Sequence, residues 1–189
     1  MKVALASCKG GAGKTSLSAC LTLALVEAGK SVEIQDHDPQ QALMGWLSQL
    51  AGFPIREQGK RVVAGAGEPS LTIGDFPPSE PHALKQLVEG WDRVLIPCQP
   101  SVVDVKSAVA FVALWRDRSH LRLVWNAVDG SALSRPETLA TLGAEVGCPV
   151  AKATIPRRVG IKNAYHAGFK GLDEASKSAV LSLALEVTS

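Results

Sequence analysis

The sequence predicts an α/β protein: a mainly parallel, twisted sheet with helices on both faces in three layers. Two observations carry this. Short apolar runs alternate with helical-period stretches of about ten residues or more, as in parallel sheets covered on both sides. The residues most able to do chemistry also fall where the apolar runs end, which is where such sheets bind ligands.

Taken in order, Val3, Ala4, Leu5 and Ala6 read as a first strand, followed by a Gly-rich turn over residues 7–16. Leu17, Cys20, Leu21, Ala24, Leu25 and Ala28 then recur at helical spacing up to Gly29, placed to close the helix. Leu23 and Val26 make its other side apolar too, as expected of a deeply packed helix. Residues 31–35 read as a strand, Asp36-His37-Asp38-Pro39-Gln40-Gln41 as a polar loop, and 42–50 as a helix. The stretch 52–69 is rich in Gly and charge and reads as a connection with one short strand at 61–64. A clearer strand over 70–74 ends in Asp75-Phe76-Pro77-Pro78, where proline forbids further pairing. Helices over 79–89, 102–115 and 135–146 alternate with strands over 93–96, 121–125 and 150–154. Residues 155–158 form a turn, and helices over 159–167 and 173–187 finish the chain.

The 189 residues fit one domain, 1–189, with no internal repeat, linker or low-complexity segment. A hydrophobic fraction of 46% against 20% charged excludes wholesale disorder. Net charge is only +2, but residues 152–177 hold six bases against two acids, a local +4. That basic region, with Arg158, Lys162 and Lys170, is the candidate surface for an anion or for DNA; a solvated face on late helices would look the same. Cys8, Cys20, Cys98 and Cys148 form no C-x-x-C pair, against a zinc site or a redox pair. No secretory segment and no bilayer-long apolar run is visible, so the expected location is cytoplasmic.

The chemistry concentrates in Lys9-Gly10-Gly11-Ala12-Gly13-Lys14-Thr15-Ser16, between a strand and a helix. The glycines let consecutive N–H groups turn inward around an anion at a helix N-terminus. Lys14 is placed to reach the β- and γ-phosphates, and the Thr15 hydroxyl to ligate Mg²⁺. Asp75, at a strand end, can hold the same Mg²⁺ through water. Asp38 can orient the attacking water, while Asp36 reads equally well as a cap of the following helix.

This loop resembles the deviant Walker A loop of the ParA/MinD family of P-loop ATPases, with Cys8 where the usual motif has its first Gly and an additional lysine, Lys9, before the glycines. Asp-His-Asp-Pro-Gln at 36–40 is similar to the family's Asp-x-Asp-Pro-Gln segment, and Pro97-Cys98-Gln99-Pro100 to its Pro-x-Gln-Pro segment. The matching stretches cover residues 2–168. The resemblance implies the P-loop NTPase fold and ATP with Mg²⁺ as ligands. It implies Lys9, Lys14 and Asp38 as catalytic residues, with Lys9 crossing a dimer interface to the partner's nucleotide. It implies Asn126, Pro156 and Arg157 as holders of adenine. Its functional counterpart is a switch that dimerises on ATP, binds DNA non-specifically on the nucleoid, and is reset when a small centromere-binding or cargo adaptor protein stimulates hydrolysis. About eight residues precede the glycines, so the chain resembles the small members without an N-terminal DNA-binding extension. The last helix lacks the basic face of the membrane-targeting helix of MinD, so no membrane partner is expected. The alternative is a metabolic ligase of the same superfamily, dethiobiotin synthetase-like or CobQ-like, for which residues 52–69 look too plain to build a substrate pocket.

Overall fold

A computed structural model of the chain describes residues 1–59, 61–129, 131, 134–157 and 159–188. β1 (Lys2–Leu5) leads through the Gly-rich loop into α1 (Lys14–Glu27), then β2 (Val32–Asp36), α2 (Ala42–Ser48) and a hairpin of β3 (Ile55–Gln58) and β4 (Arg61–Ala64). β5 (Leu71–Asp75), α3 (Pro81–Val88), β6 (Arg93–Cys98), α4 (Val102–Val112) and β7 (Leu121–Trp125) follow. α5 (Pro136–Val146), α6 (Val159–Ala167), a 3₁₀ turn (Gly168–Gly171) and α7 (Glu174–Thr188) complete it. The sheet order is β3-β4-β2-β5-β1-β6-β7, with β4 antiparallel to both of its neighbours, β3 and β2, and the other neighbours parallel. The predicted α/β sandwich is therefore the one observed.

Strand alternation divides the core into two layers. Val3, Leu5, Ile73, Leu95 and Val124 point to one face and pack with α1, α2, α6 and α7. Ala4, Ala6, Val94, Ile96, Leu123 and Trp125 point to the other and pack with α3, α4 and α5. Helix α1 is buried at every position from Leu17 to Leu25, which is why its apolar residues ran round both sides in the sequence. It closes as predicted, with Gly29 at φ +77° and its N–H donating to the Val26 carbonyl at 2.9 Å.

Two expectations need correction. The 52–69 connection holds two strands, because the edge strand β3 is mostly polar (Arg56, Glu57, Gln58) and an edge tolerates such a face. The strand expected over 150–154 does not form as a regular element; Val150 and Pro156 make isolated bridges only. Residue 151 donates to the Leu123 carbonyl at 2.8 Å, but the Trp125 carbonyl accepts from Ile155, also at 2.8 Å. Four residues thus face a two-residue step on β7, and 152–154 leave the ladder. The Lys152 N–H is taken instead by the Glu186 carboxylate of α7, at 2.9 Å. Two expected helices are also shorter at their ends: α3 starts at Pro81, and α4 stops at Val112 with two i−3 turn bonds beyond it.

Candidate functional site

The carboxyl ends of β1, β2, β5, β6 and β7 share one rim, and the loop of residues 7–13 lies there. Gly11 and Gly13 have φ of +78° and +89°, the region where a Cβ is costly. Gly13 is constrained twice, since a Cβ on it would lie 2.2 Å from Asn126 Nδ2. That amide donates to the Ala12 carbonyl at 2.7 Å and so pins the loop to the end of β7. Gln99 pins it from β6, donating to the Gly11 carbonyl at 2.9 Å.

The two lysines of the loop are placed differently. Lys14 is buried, and its ammonium donates to the Lys9 carbonyl at 3.3 Å, inside its own loop. Burial pulls its pKa down, opposed by the nearby Asp75 and Asp38. Lys9 is half-exposed and ion-pairs with the buried Asp104 in the first turn of α4.

Behind the loop, Asp75 is buried and accepts hydrogen bonds from Thr15 Oγ1 at 2.7 Å and Ser18 Oγ at 3.1 Å. Burial pushes its carboxyl up to about 6, against the pull of those two hydroxyls. Because Thr15 gives its hydrogen to Asp75, its oxygen keeps lone pairs for a cation. A hydroxyl beside a carboxylate is a hard-oxygen set that suits Mg²⁺ held mainly by phosphate and water. Among the described residues no group of three or more His, Cys, Asp or Glu could hold a metal by protein ligands alone.

The second acidic loop lies beside this one. His37 N–H donates to the Asp75 carbonyl at 2.9 Å, lashing the loop to the end of β5. Asp36 accepts from the N–H groups of Asp38 at 3.2 Å and Met44 at 3.1 Å, so it caps α2. Asp38 uses one oxygen on the Gln40 N–H at 2.9 Å.

On the other side of the loop a cavity of about 230 Å³ is lined by Gly11, Gly13, Ser16, Asn126, Pro156 and Arg157, among others. Arg157 is steered by Asp129 at 3.7 Å and Gln99 at 3.4 Å. Lys162, expected on a DNA surface, also lines this cavity. Lys170 lies in the 3₁₀ turn, on a separate cleft with Leu23, Glu27 and Phe169 at the far end of α1. Arg158 lies outside the described residues.

Sequence reasoning missed Ser18, Asp104 and Ala127 as parts of the site, and picked out Gln99 only within the Pro-x-Gln-Pro resemblance, without a role. Ser18 was findable, being one helical turn from Thr15 on the same face. Ala127 lines the cavity at φ +54°, a conformation no sequence signal announces.

Residues 3–168 match the model of the CobQ/CobB/MinD/ParA nucleotide binding domain. The chain belongs to that family. It is 27% identical over 184 residues to the maintenance of carboxysome distribution protein A of Halothiobacillus neapolitanus, covering 88% of this chain and 84% of that one. Its fold is that of MinD in the MinC:MinD complex of Aquifex aeolicus (TM-score 0.76, 16% identity, 99% and 95% of the two chains). It is also that of a Cyanothece McdA variant in its ATP complex (TM-score 0.72, 15% identity, 99% and 95%). A cobyrinic acid a,c-diamide synthase from Mycobacterium smegmatis, with an ATP analogue and magnesium, shares it as well (TM-score 0.69, 17% identity, 99% and 93%).

Proposed function

We propose that this chain is a ParA-type ATPase switch that binds ATP with Mg²⁺, pairs with a second copy around the nucleotide, holds DNA without sequence preference, and is reset by hydrolysis. The observation that carries this reading is the division of labour between the lysines. Lys14 is turned into its own cradle, whereas Lys9 bonds instead to Asp104 of α4 and keeps a partly exposed side chain. A ligase acting within one chain has no use for the second.

Phosphoryl transfer asks a protein mainly for positioning and charge neutralisation. The loop N–H groups and Lys14 hold the β- and γ-phosphates. Thr15 and Asp75 hold Mg²⁺, which supplies further positive charge on the phosphate oxygens when bound. Asp38 holds the attacking water. Asn126 gives one amide hydrogen to the Ala12 carbonyl and keeps its carbonyl oxygen as an acceptor for the adenine amine. The similarity to a carboxysome distribution protein favours a large protein assembly over a plasmid or chromosome as cargo, recruited through an adaptor that stimulates hydrolysis.

The test is ADP release by the purified chain with Mg²⁺ and ATP, with and without duplex DNA and without any organic carboxylate. Turnover raised by DNA or by a protein encoded beside it supports the switch. ADP release that depends on an added carboxylate acceptor assigns the ligase instead.

A further inference from the structure

The first turn of α4 carries three consecutive residues with opposed environments. Asp104 points inward, its side chain only 5% exposed, with Lys9 as its ion-pair partner. Apart from that pair, its Oδ1 has no hydrogen-bond partner. Val102 and Val103 point outward, 56% and 64% exposed, the latter more than any other valine among the exposed large apolar residues described. Through the Lys9–Asp104 pair the turn meets the phosphate loop, in which Gly10 and Gly11, next to Lys9, are exposed.

We infer that this turn is a two-sided switch: Asp104 holds Lys9 back on its own chain, and Val102–Val103 is the apolar contact that a second copy of the chain covers when it dimerises. The inference rests on the sandwich dimer proposed above and names what gates it. The occupant is a second copy because the valines adjoin the loop and the lysine that this dimer must bring face to face, and a two-fold interface buries the same patch twice.

The energetics suit a latch rather than a permanent bond. A buried carboxylate stripped of its counter-charge is costly, so Lys9 does not leave Asp104 without a competing anion. Asp104 sits in the first turn of an eleven-residue helix, where the positive end of the helix dipole keeps its charge tolerable once Lys9 has gone. A partner's triphosphate, with more negative charge than one carboxylate, then wins the lysine. Nucleotide-free chains keep Lys9 latched and stay apart.

Two variants and two readouts test this. Asp104→Asn should lower by about tenfold the concentration of non-hydrolysable ATP analogue at which dimer appears in sedimentation. In nucleotide-free chain the same variant should raise the acylation rate of Lys9, read by mass spectrometry, while a distant lysine such as Lys177 is unchanged. Val102→Ser with Val103→Ser should abolish the dimer but leave analogue binding by calorimetry and Lys9 acylation as in the parent. Unaltered Lys9 acylation in Asp104→Asn overturns the latch, whatever the oligomeric state. A full dimer in the double serine variant overturns the docking surface. If the parent itself stays monomeric with the analogue, the sandwich reading fails and takes the docking surface with it, while the acylation result still decides the latch.

Discussion

Thr15 and Asp75 lie 2.7 Å apart across the foot of the phosphate loop, hydroxyl to carboxylate. The contact joins the start of α1 to the end of β5, sixty residues apart in the chain. It also places an ionisable group in a dry site where its charge is unfavourable until a cation arrives.

That gives a pH prediction for the metal-free, nucleotide-free chain. Asp75 titrates at about 6 when folded and near 3.9 when unfolded, so its folded pKa is raised. The carboxyl's contribution to stability is fully present below pH ~4 and is lost as pH rises through ~6. Asp75→Asn, which removes the charge, should therefore stabilise the EDTA-treated chain at pH 7.5 relative to parent, by up to about 3 kcal/mol. The gain should vanish toward pH ~4. Denaturant melts across that range check it; a gain independent of pH would mean that Asp75 is not the titrating group.

Lys14→Ala should abolish ATP binding, because the buried ammonium is the fixed charge inside the cradle. Asp38→Ala should keep ATP binding while turnover falls at least tenfold, since a water-orienting group contributes on that order. Calorimetry and ADP release separate the two effects. Tight ATP binding by Lys14→Ala, or unchanged turnover in Asp38→Ala, would remove that residue from its role.

Gly13→Ala combines two costs at one position. The residue would sit at φ +89°, worth about 1–3 kcal/mol for a non-glycine, and its Cβ would displace the Asn126 amide that pins Ala12. ATP affinity should fall steeply, with the melting temperature lowered by several degrees. Asn126→Ala should loosen the loop without the backbone strain, so its melting loss should be the smaller of the two.

The sheet and this loop were legible because each rests on a strong local signal. Glycines that must turn, a lysine and a hydroxyl at fixed offsets, and apolar runs buried on both faces need no tertiary knowledge. The departures share the opposite property. Strand β3 reads as a loop because an edge strand has no need of an apolar face, and residues 152–154 read as a strand because Val150, Ala151 and Ala153 are apolar, although the Lys152 N–H leaves the ladder for Glu186. Gln99 and Asp104 act through partners about ninety residues away, on the loop at Gly11 and Lys9; a spacing argument cannot reach that far.

The basic residues of the candidate DNA surface sit in two places. Arg157 and Lys162 line the nucleotide cavity, so removing them tests ATP binding as well as DNA binding, and loss of both would be uninformative. Lys170 is exposed and remote from that cavity. Non-specific affinity rises steeply with the number of phosphates neutralised together, and a dimer doubles the number that one chain offers while linking the two patches. DNA binding should therefore require ATP, fall steeply with salt and show no sequence preference. Arg158→Ala and Lys170→Ala together should weaken it strongly in gel-shift titrations run at saturating ATP analogue, with sedimentation showing that the dimer persists. Lys170→Ala alone should lower the salt slope by about two, one phosphate contact per chain of the dimer. The control is Arg118→Ala with Arg122→Ala. Arg118 donates to the Trp115 and Gly147 carbonyls and Arg122 to those of Ser119 and Leu121, so both are committed to the fold and their loss should leave the salt slope alone. Parental DNA affinity in the Arg158 and Lys170 double variant would move the DNA surface away from these two residues, and a slope lowered by the control pair would move it to the β7 side.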